Sequence, residues 1–206
     1  MSSPEPNLTR PIPSLRGELV YLRPAERDDI DLFVRWFADA EMTRYLATRA
    51  PFSHAMEERW FESMLETQGK RGYHFVICLL ADDRAIGTAG FHNVNQEDGH
   101  ASFGISIGEK AEWSKGYGTD ALRAICDFGF GQLRLERIEL DVYEANRRAQ
   151  RSYEKAGFVT EGTLRHAVFS DGGFHDLLRM SLLREEWKAQ ARPRPWDEPA
   201  SASTGA

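Results

Sequence analysis

The sequence of 206 residues has few cysteines, no long apolar run and no excess of positive charge. Its two cysteines, Cys78 and Cys126, lie in apolar surroundings without C-x-x-C spacing, so we expect buried free thiols and neither a metal site nor a disulfide. No segment approaches the length of a membrane-spanning helix, and the N-terminus lacks the apolar core of a signal peptide. We therefore expect a cytoplasmic protein that does not bind membranes.

The charge balance gives no sign of a nucleic-acid partner, because the formal net charge is −6. Hydrophobic residues make up 41% of the chain and charged residues 28%, which is typical of a globular domain, and the length suits one such domain. We expect a flexible leader over residues 1–14, a domain over residues 15–188 and a disordered tail over residues 189–206. Both ends are rich in proline and serine, which favours disorder there.

Alternating apolar and polar residues predict strands, and apolar stripes at helical spacing predict helices. The predicted order is strand, two helices, three strands, helix, strand, helix and two strands. The three consecutive strands suit an antiparallel meander, and the strand–helix–strand unit after them implies a parallel crossover. The sequence therefore predicts an α/β fold with a mixed sheet. The predicted strands cover residues 17–23, 73–80, 84–93, 100–108, 136–142, 158–164 and 174–183, and the helices after the first cover residues 56–67, 117–133 and 146–156.

Two glycines separated by one residue, Gly116 and Gly118, open the helix predicted over residues 117–133. Glycine has no Cβ, so the backbone can turn sharply there and lie close to a ligand. The first amides of a helix have no intrahelical acceptor and carry the positive end of the helix dipole. The stretch from Trp113 to Leu122 therefore predicts a cradle for a phosphate or pyrophosphate.

Two common phosphate-binding motifs fit this stretch less well. A Walker-type P-loop has the pattern G-x-x-x-x-G-K-(S/T), which is excluded here because Lys115 precedes the glycine. Gly116, Gly118 and Ala121 do match the relaxed dinucleotide pattern G-x-G-x-x-A. That pattern starts directly after a strand, whereas residues 109–115 separate the strand from the glycines in this chain. The match to a dinucleotide site is therefore weak.

The segments WSKGYGTDALRAICDFGF and LRLERIELDVYEANRRAQRSYEKAGFVTEGTLR resemble the GNAT superfamily of acetyl-CoA-dependent N-acetyltransferases. Within it, they resemble the branch that contains the ribosomal-protein alanine and serine N-terminal acetyltransferases. The family pattern (Q/R)-x-x-G-x-(G/A) falls on Trp113, Gly116 and Gly118, where Trp113 departs from the wider superfamily but an aromatic residue is usual in this branch. A second family signature runs from Asn146 to Phe158. The resemblance covers roughly residues 15–188.

The resemblance implies a central, mostly antiparallel twisted sheet with one splayed parallel strand pair, flanked by about four helices. It implies that the amides of residues 115–119 hold the pyrophosphate of coenzyme A, and that the backbone of residues 105–107 pairs with the pantetheine arm. The residues that it implies for binding acetyl-CoA are Ile105, Ser106, Ile107, Trp113, Ser114, Lys115, Gly116, Tyr117, Gly118, Thr119, Asn146, Ala149 and Tyr153.

Tyr153 is the candidate general acid. It lies seven residues, about two helical turns, beyond Asn146, so both side chains can face one side of the helix. From this spacing alone, a tyrosine packed on the sheet is the favoured interpretation. The resemblance implies instead that Tyr153 donates a proton to the departing thiolate, while Asn146 caps the helix and bonds the pantetheine arm.

The general base is not specified by the motifs. In several family members a glutamate on the strand before the loop serves, and the corresponding residue here is Ser102. The candidates that remain are His92, His100, Glu139 and Asp141. We favour His92, because it ends a strand in the middle of the sheet and a histidine can titrate near neutral pH. No metal is expected.

The expected acceptor is a primary amine, either a protein N-terminus or a small molecule, that attacks acetyl-CoA directly in a ternary complex. The sequence does not distinguish these acceptors, and the assembly is expected to be a monomer or a homodimer. A non-catalytic sensor that binds acyl-CoA is the alternative function. The residues expected to line an acceptor pocket are Tyr45, Phe52, Trp60, His74 and Phe169.

Overall fold

One seven-stranded sheet organises residues 15–46 and 52–197, which are the residues that the computed structural model describes. The strands are β1 (Val20–Pro24), β2 (Tyr73–Leu79), β3 (Ala85–Asn95), β4 (His100–Ile107), β5 (Arg137–Tyr143), β6 (Val159–Ser170) and β7 (Gly173–Leu183). Their order across the sheet is β1-β2-β3-β4-β5-β7-β6, and each neighbouring pair is antiparallel except β4 and β5, which are parallel. The predicted mixed sheet is therefore confirmed.

Helices connect and cover these strands. They are α1 (Ile30–Phe37), α2 (Ala40–Thr43), α3 (His54–Thr67), α4 (Tyr117–Gly131), α5 (Arg147–Ala156) and α6 (Arg184–Ala189). Of the helices in the described part of the chain, α1, α3, α4 and α5 have eight or more residues, which agrees with the expectation of about four. No helix among the described residues is long and apolar enough to cross a membrane.

The two faces of the sheet pack against different helices. Phe91 and Ile125 belong to the main core, which α4 and α5 share with one face. Phe33 and Trp36 of α1 form a second cluster with Val76 on the other face. Successive side chains of a strand point to opposite faces, so β2 contributes to both clusters.

The parallel strands separate soon after they begin to pair. β4 pairs with β5 only from His100 to Ser102, opposite Arg137 to Glu139, although β4 continues to Ile107. The helix α4 crosses over between these two strands in the chain, and β7 pairs with β5 along the whole of β5. β4 and β5 therefore form the splayed parallel pair that the resemblance implies, with a gap between their diverging ends.

The chain after α6 packs onto the domain as far as residue 197. Arg192 donates to the buried carboxylate of Asp127 at 2.7 Å, and the rings of Trp196 and Trp187 have centroids 6.2 Å apart. The expectation of a disordered tail is therefore wrong for residues 189–197. Tertiary contacts hold this segment although its composition favours disorder. Residues 1–14 and 198–206, the rest of the expected leader and tail, lie outside the described residues.

Candidate active site

A run of backbone amides without acceptors lies where the loop after β4 enters α4. Among residues 15–46 and 52–197, no hydrogen-bond acceptor is found for the amides from Ser114 to Thr119. The helix that follows has 15 residues, and its dipole adds positive potential at this end. The run can therefore bind the pyrophosphate that the glycine stretch predicts.

Two left-handed residues shape this loop, Ser114 with φ 64° and Gly116 with φ 94°. The acid in the first turn of α4, Asp120, does not oppose an anion in the loop, because its carboxylate is engaged elsewhere. It accepts hydrogen bonds from the amides of Leu19 at 2.8 Å and Val20 at 3.0 Å. Asp120 thus ties the start of β1 to α4 and leaves the cradle to the amides.

Trp113 fixes the loop against β4 and α5. Its indole Nε1 donates to the carbonyl oxygen of Ile107 at 2.7 Å. The guanidinium of Arg148 lies over the indole ring, 3.8 Å from the centroid, a cation–π contact. An aromatic side chain in place of the superfamily's glutamine or arginine therefore positions the loop without contributing to the amide cradle.

Lys115 forms an ion pair beside the cradle. Its Nζ lies 2.9 Å from the carboxylate of Glu112, which also accepts from Arg84 at 2.7 Å. Hydrogen bonds from these two cations lower the pKa of Glu112, Arg84 having the larger effect. Because Glu112 balances the charge of Lys115, the backbone amides supply most of the attraction for an anion.

The far end of β4 presents a free backbone edge to the gap beside β5. The amide of Gly108 donates to Ile86 of β3, and backbone groups alternate in direction along a strand. The amide and carbonyl groups of Ile105 and Ile107 therefore point away from β3, into the gap. The Ile107 carbonyl already accepts a hydrogen bond from Trp113. The amide and carbonyl of Ile105 and the amide of Ile107 can therefore form hydrogen bonds with an extended ligand.

The loop, β4 and α5 converge at Gly118. A Cβ on this residue would lie 3.7 Å from a side-chain carbon of Ile107 and 3.9 Å from the hydroxyl of Ser152. The next residue, Thr119, is hydrogen-bonded through its hydroxyl to Ser152 at 2.7 Å. The phosphate cradle, the open strand edge and α5 therefore border one another.

The remaining residues implied for acetyl-CoA binding occupy the same region. The Asn146 side chain caps α5 by accepting from the amide of Ala149 at 3.2 Å. Tyr117 is half-buried against the main core at the start of α4. Ser106 of β4 is half-exposed, and its hydroxyl lies 3.1 Å from that of Thr88 on β3.

Tyr153 is a buried tyrosine whose hydroxyl has no hydrogen-bond partner in the described part of the chain. The residue is 9% exposed, and its ring packs near Phe158 with centroids 6.0 Å apart. Burial raises the pKa of Tyr153 to about 12, so the hydroxyl stays protonated at neutral pH. Because buried tyrosine hydroxyls usually find partners, this one is suited to a ligand atom.

A cavity of about 260 Å³ opens on the face of the sheet opposite α4 and α5, and Ile105, one of the β4 residues that border the gap, also lines it. Its lining includes Ile105 and Ser106 of β4 and His92 of β3. Gly104 admits the imidazole, since a Cβ there would lie 2.8 Å from His92 Nε2. Desolvation of the imidazole by its neighbours lowers the pKa of His92, although the residue as a whole is exposed, so the ring is neutral at pH 7.

The other candidate bases are less well placed. Glu139 lies 3.0 Å from Arg137, and Asp141 accepts from the guanidinium of Arg179 at 2.6 Å. These carboxylates are neutralised on the part of the sheet where β5 and β7 pair. His100 lies at the other end of β4 from Ile105 and does not line the cavity. Of the four candidates, His92 is the one that lines this cavity.

Two of the aromatic residues expected at the acceptor pocket, Trp60 and His74, line this cavity. Their rings meet edge to face with centroids 5.7 Å apart. A third, Phe52, packs edge to face on Phe37, which is itself part of the lining. These residues bring α1, α3 and β2 to one site.

The remaining two expected residues are not part of the cavity lining. Tyr45 packs near Tyr143 of β5, with ring centroids 5.5 Å apart. Phe169 lies on the exposed hairpin of β6 and β7, near Phe174. Phe169 does not line this cavity, because β4, β5 and β7 separate its strand from β3.

A larger groove of about 670 Å³ lies elsewhere, between the start of the described chain, α4 and the segment after α6. Arg16, Asp127 and Arg192 are among its lining residues, and none of the predicted site residues belongs to it. Its size alone does not make it the active site.

The comparison with known proteins agrees with this geometry. A family model described as an acetyltransferase (GNAT) domain matches residues 20–159. The chain belongs to the GNAT acetyltransferase family. The predicted enzyme class and co-substrate follow from this membership: the protein is an N-acetyltransferase, and acetyl-CoA is its co-substrate.

Relatives in this family differ in the acceptor that their names state. The uncharacterised N-acetyltransferase p20 of Bacillus licheniformis is 31% identical over 176 residues, covering 84% of this chain and 98% of the relative. A putative ribosomal N-acetyltransferase, YdaF of Bacillus subtilis, is 32% identical over 112 residues, covering 54% and 61%. A crystal structure of spermidine N-acetyltransferase from Vibrio cholerae with CoA and spermine has a TM-score of 0.76 at 25% identity, covering 82% and 98%.

Sequence reasoning missed several residues of the site in this GNAT enzyme. Phe37, Thr88 and Gly104 border the cavity, but each belongs to an ordinary helix or strand pattern in the sequence. The pairing of His92 with Ser102 across β3 and β4 was also hidden. Only the register of the sheet reveals these neighbours.

Proposed function

We propose that this GNAT enzyme transfers the acetyl group of acetyl-CoA to a primary amine by direct attack in a ternary complex. The observation that carries the proposal is the position of the cavity. Ile105 belongs both to its lining and to the open edge of β4, so an amine in the cavity would lie beside an acyl group held along that edge.

The acetyl donor would be held by backbone groups. Acetyl-CoA supplies an acetyl thioester, and the amides from Ser114 to Thr119 suit its pyrophosphate. The amides of Ile105 and Ile107, for which the described residues provide no acceptor, suit the carbonyl groups of the pantetheine arm. An amide on this edge would also polarise the thioester carbonyl as negative charge develops on its oxygen.

His92 is proposed to accept the proton of the attacking amine. An alkylammonium group resembles the lysine side chain, with a pKa near 10.4, so the amine must lose a proton before it can attack. Burial lowers the pKa of His92, which keeps the imidazole in the neutral form that can act as a base. Its position at the mouth of the cavity leaves an exit for that proton to solvent.

Tyr153 is proposed to stabilise and protonate the departing sulfur. Its hydroxyl is buried, protonated and without a hydrogen-bond partner among the residues that the structure describes. A tyrosine with a pKa of about 12 is a weak acid. The same burial would raise the pKa of a thiol beside it, which favours transfer of the proton to sulfur.

The state of the cysteines supports direct attack over an acetyl-enzyme intermediate. Cys78 and Cys126 are both buried within the two cores, and burial raises the pKa of each thiol. A nucleophilic cysteine needs a lowered pKa and access to substrate. Neither residue meets these requirements.

The function is tested by the release of free thiol from acetyl-CoA in the presence of a panel of amines and N-terminal peptides. We expect release that depends on one class of amine, together with the matching N-acetyl product in mass spectrometry. Binding of CoA in calorimetry without amine-dependent thiol release would instead favour the acyl-CoA sensor.

A further inference from the structure

Among the residues that the structure describes, none of those lining the acceptor cavity is acidic. Apart from backbone groups, its polar atoms belong to the indole of Trp60, to Thr88 and Ser106, whose hydroxyls bond each other, and to two histidines, His74 and His92. The remaining lining is apolar or glycine, including the aromatic rings of Phe37, Phe75 and Trp60.

The two histidines add no charge at neutral pH. Burial and the neighbouring His92 lower the pKa of His74 to about 4, and burial lowers that of His92. Their rings lie side by side, with centroids 5.3 Å apart, so protonation of one opposes protonation of the other. The described lining of the cavity therefore carries no charge at neutral pH. It can accept hydrogen bonds from an amine, but it provides no carboxylate to pair with a second ammonium group.

None of the acids on α1, α2 and α3 is among the described lining residues. Glu57 lies one turn before Trp60 on α3, but it shares the face of Phe61 and Met64, which packs against α1, and it is not part of the lining. Burial also raises the pKa of Glu57, which disfavours its charged form.

The size and lining of the cavity suit a small apolar group. At about 260 Å³ it lies below the usual range for ligand pockets, roughly 300–1,000 Å³. Trp60 is 41% exposed, and its ring lies against Phe33 and His74, which hold it at the wall of the cavity. An exposed aromatic side chain in a concave site is a typical contact for an apolar ligand.

We propose that the acceptor is a small monoamine whose amino group is attached to an aliphatic or aromatic body, and that polyamines are poor acceptors. The neutral, aromatic cavity would bury the body of such an amine, whereas a second ammonium group would lose its hydration without meeting a carboxylate. This inference rests on the proposed function, and it separates this enzyme from the Vibrio cholerae relative crystallised with spermine.

The sharpest test uses two amines of the same length, hexylamine and 1,6-diaminohexane, which differ only in the second ammonium group. We expect kcat/KM for hexylamine to exceed that for the diamine by about 10-fold or more, the penalty of desolvating one unpaired charge. Spermidine should be at least as poor, and 2-phenylethylamine should equal or exceed hexylamine. Calorimetric titration of the CoA-saturated enzyme with each amine gives the same comparison without turnover.

The outcomes separate the two proposals. A diamine or spermidine that reacts as well as hexylamine would overturn the monoamine assignment and leave N-acetyl transfer intact. Acetylation of N-terminal peptides alone would do the same and identify a macromolecular acceptor. Absence of thiol release with every amine and peptide would count against the proposed function itself.

Trp60→Ala tests the cavity wall directly. We expect KM for hexylamine and 2-phenylethylamine to rise by about 10-fold, since a large apolar contact is lost, while KM for acetyl-CoA stays within twofold. Trp196→Ala is the matched control, because Trp196 is 44% exposed but lies on the segment after α6, away from the cavity. Equal effects of the two substitutions on the amine KM would contradict the role of Trp60.

Discussion

Tyr153 combines three properties that rarely occur together in a structural residue. It is buried, its hydroxyl has no hydrogen-bond partner within residues 15–46 and 52–197, and it lies on α5 one position after Ser152, which contacts the phosphate cradle. An unsatisfied buried hydroxyl costs free energy unless a ligand completes it. Two readouts, turnover and stability, therefore distinguish a catalytic role from a packing role.

Tyr153→Phe is expected to lower kcat by about 100-fold, the loss typical of removing a general acid. The dissociation constant for CoA in calorimetry should stay within twofold, and the melting temperature should not fall, because no protein hydrogen bond is broken. Tyr73→Phe is the matched control, since it removes an exposed hydroxyl that bonds the Gly69 carbonyl. A parallel loss of CoA affinity and turnover in Tyr153→Phe would show a packing role.

The lowered pKa of His92 predicts how kcat/KM changes at acidic pH. Its pKa is lowered from 6.5 by burial, and the neutral form is the base, so kcat/KM should hold through pH 6.5 and fall only at lower pH. His92→Gln should lower kcat/KM by about 100-fold and remove that acid limb. In His74→Gln the limb should persist. Loss of the limb in His74→Gln alone, with a midpoint near pH 4, would assign the base to His74.

At the scale of elements, the start of α4 determines donor binding. Gly116 has φ 94°, a conformation that other residues adopt only with strain, and it sits at the centre of the unpaired amides. The backbone conformation of Gly116 determines the direction in which the neighbouring amides point. A side chain that shifts this residue would misplace the whole cradle while leaving β4 and α5 unchanged.

Gly116→Val is therefore expected to abolish measurable CoA binding in calorimetry, because a β-branched residue resists positive φ. Gly172→Val is the control: Gly172 has φ 78° in the turn between β6 and β7, and a Cβ there would meet nothing within 4 Å. It carries the same backbone strain but should bind CoA normally. CoA binding by Gly116→Val with unaltered affinity would exclude the amide cradle.

Elements with local signals were predictable from the sequence. Gly116, Asn146 and Gly157 mark the ends of α4 and α5 because capping depends on neighbouring residues alone, and Gly157 has the left-handed φ of 99° expected after a helix. The extension of β6 to Ser170, well past the predicted residue 164, was not predictable, since its partner strand β7 supplies the hydrogen bonds. The acceptor cavity was only partly predictable, because its lining comes from separate helices and strands.

At the scale of the whole molecule, the segment after α6 closes the domain on the far side of α4. Asp127 is 2% exposed and accepts from the indole of Trp187 at 2.7 Å and from both terminal nitrogens of Arg192. A buried carboxylate needs such partners, since desolvating it alone costs several kcal/mol. The composition of residues 189–197 favours disorder. The contacts of this segment with the domain, including those to the buried carboxylate of Asp127, hold it in place instead.

Arg192→Ala should therefore destabilise the whole domain without touching the active site. Removal of one member of a buried ion pair, with Arg192 itself partly exposed, is expected to cost about 2–3 kcal/mol, which lowers the melting temperature by roughly 4–12 °C for a chain of this length. Arg27→Ala provides the comparison, because Arg27 and Glu62 form an exposed pair and its loss should shift the melting temperature by less than about 2 °C. CoA affinity should be unchanged in both variants. Equal melting temperatures for the two would show that the Arg192–Asp127 pair does not stabilise the domain.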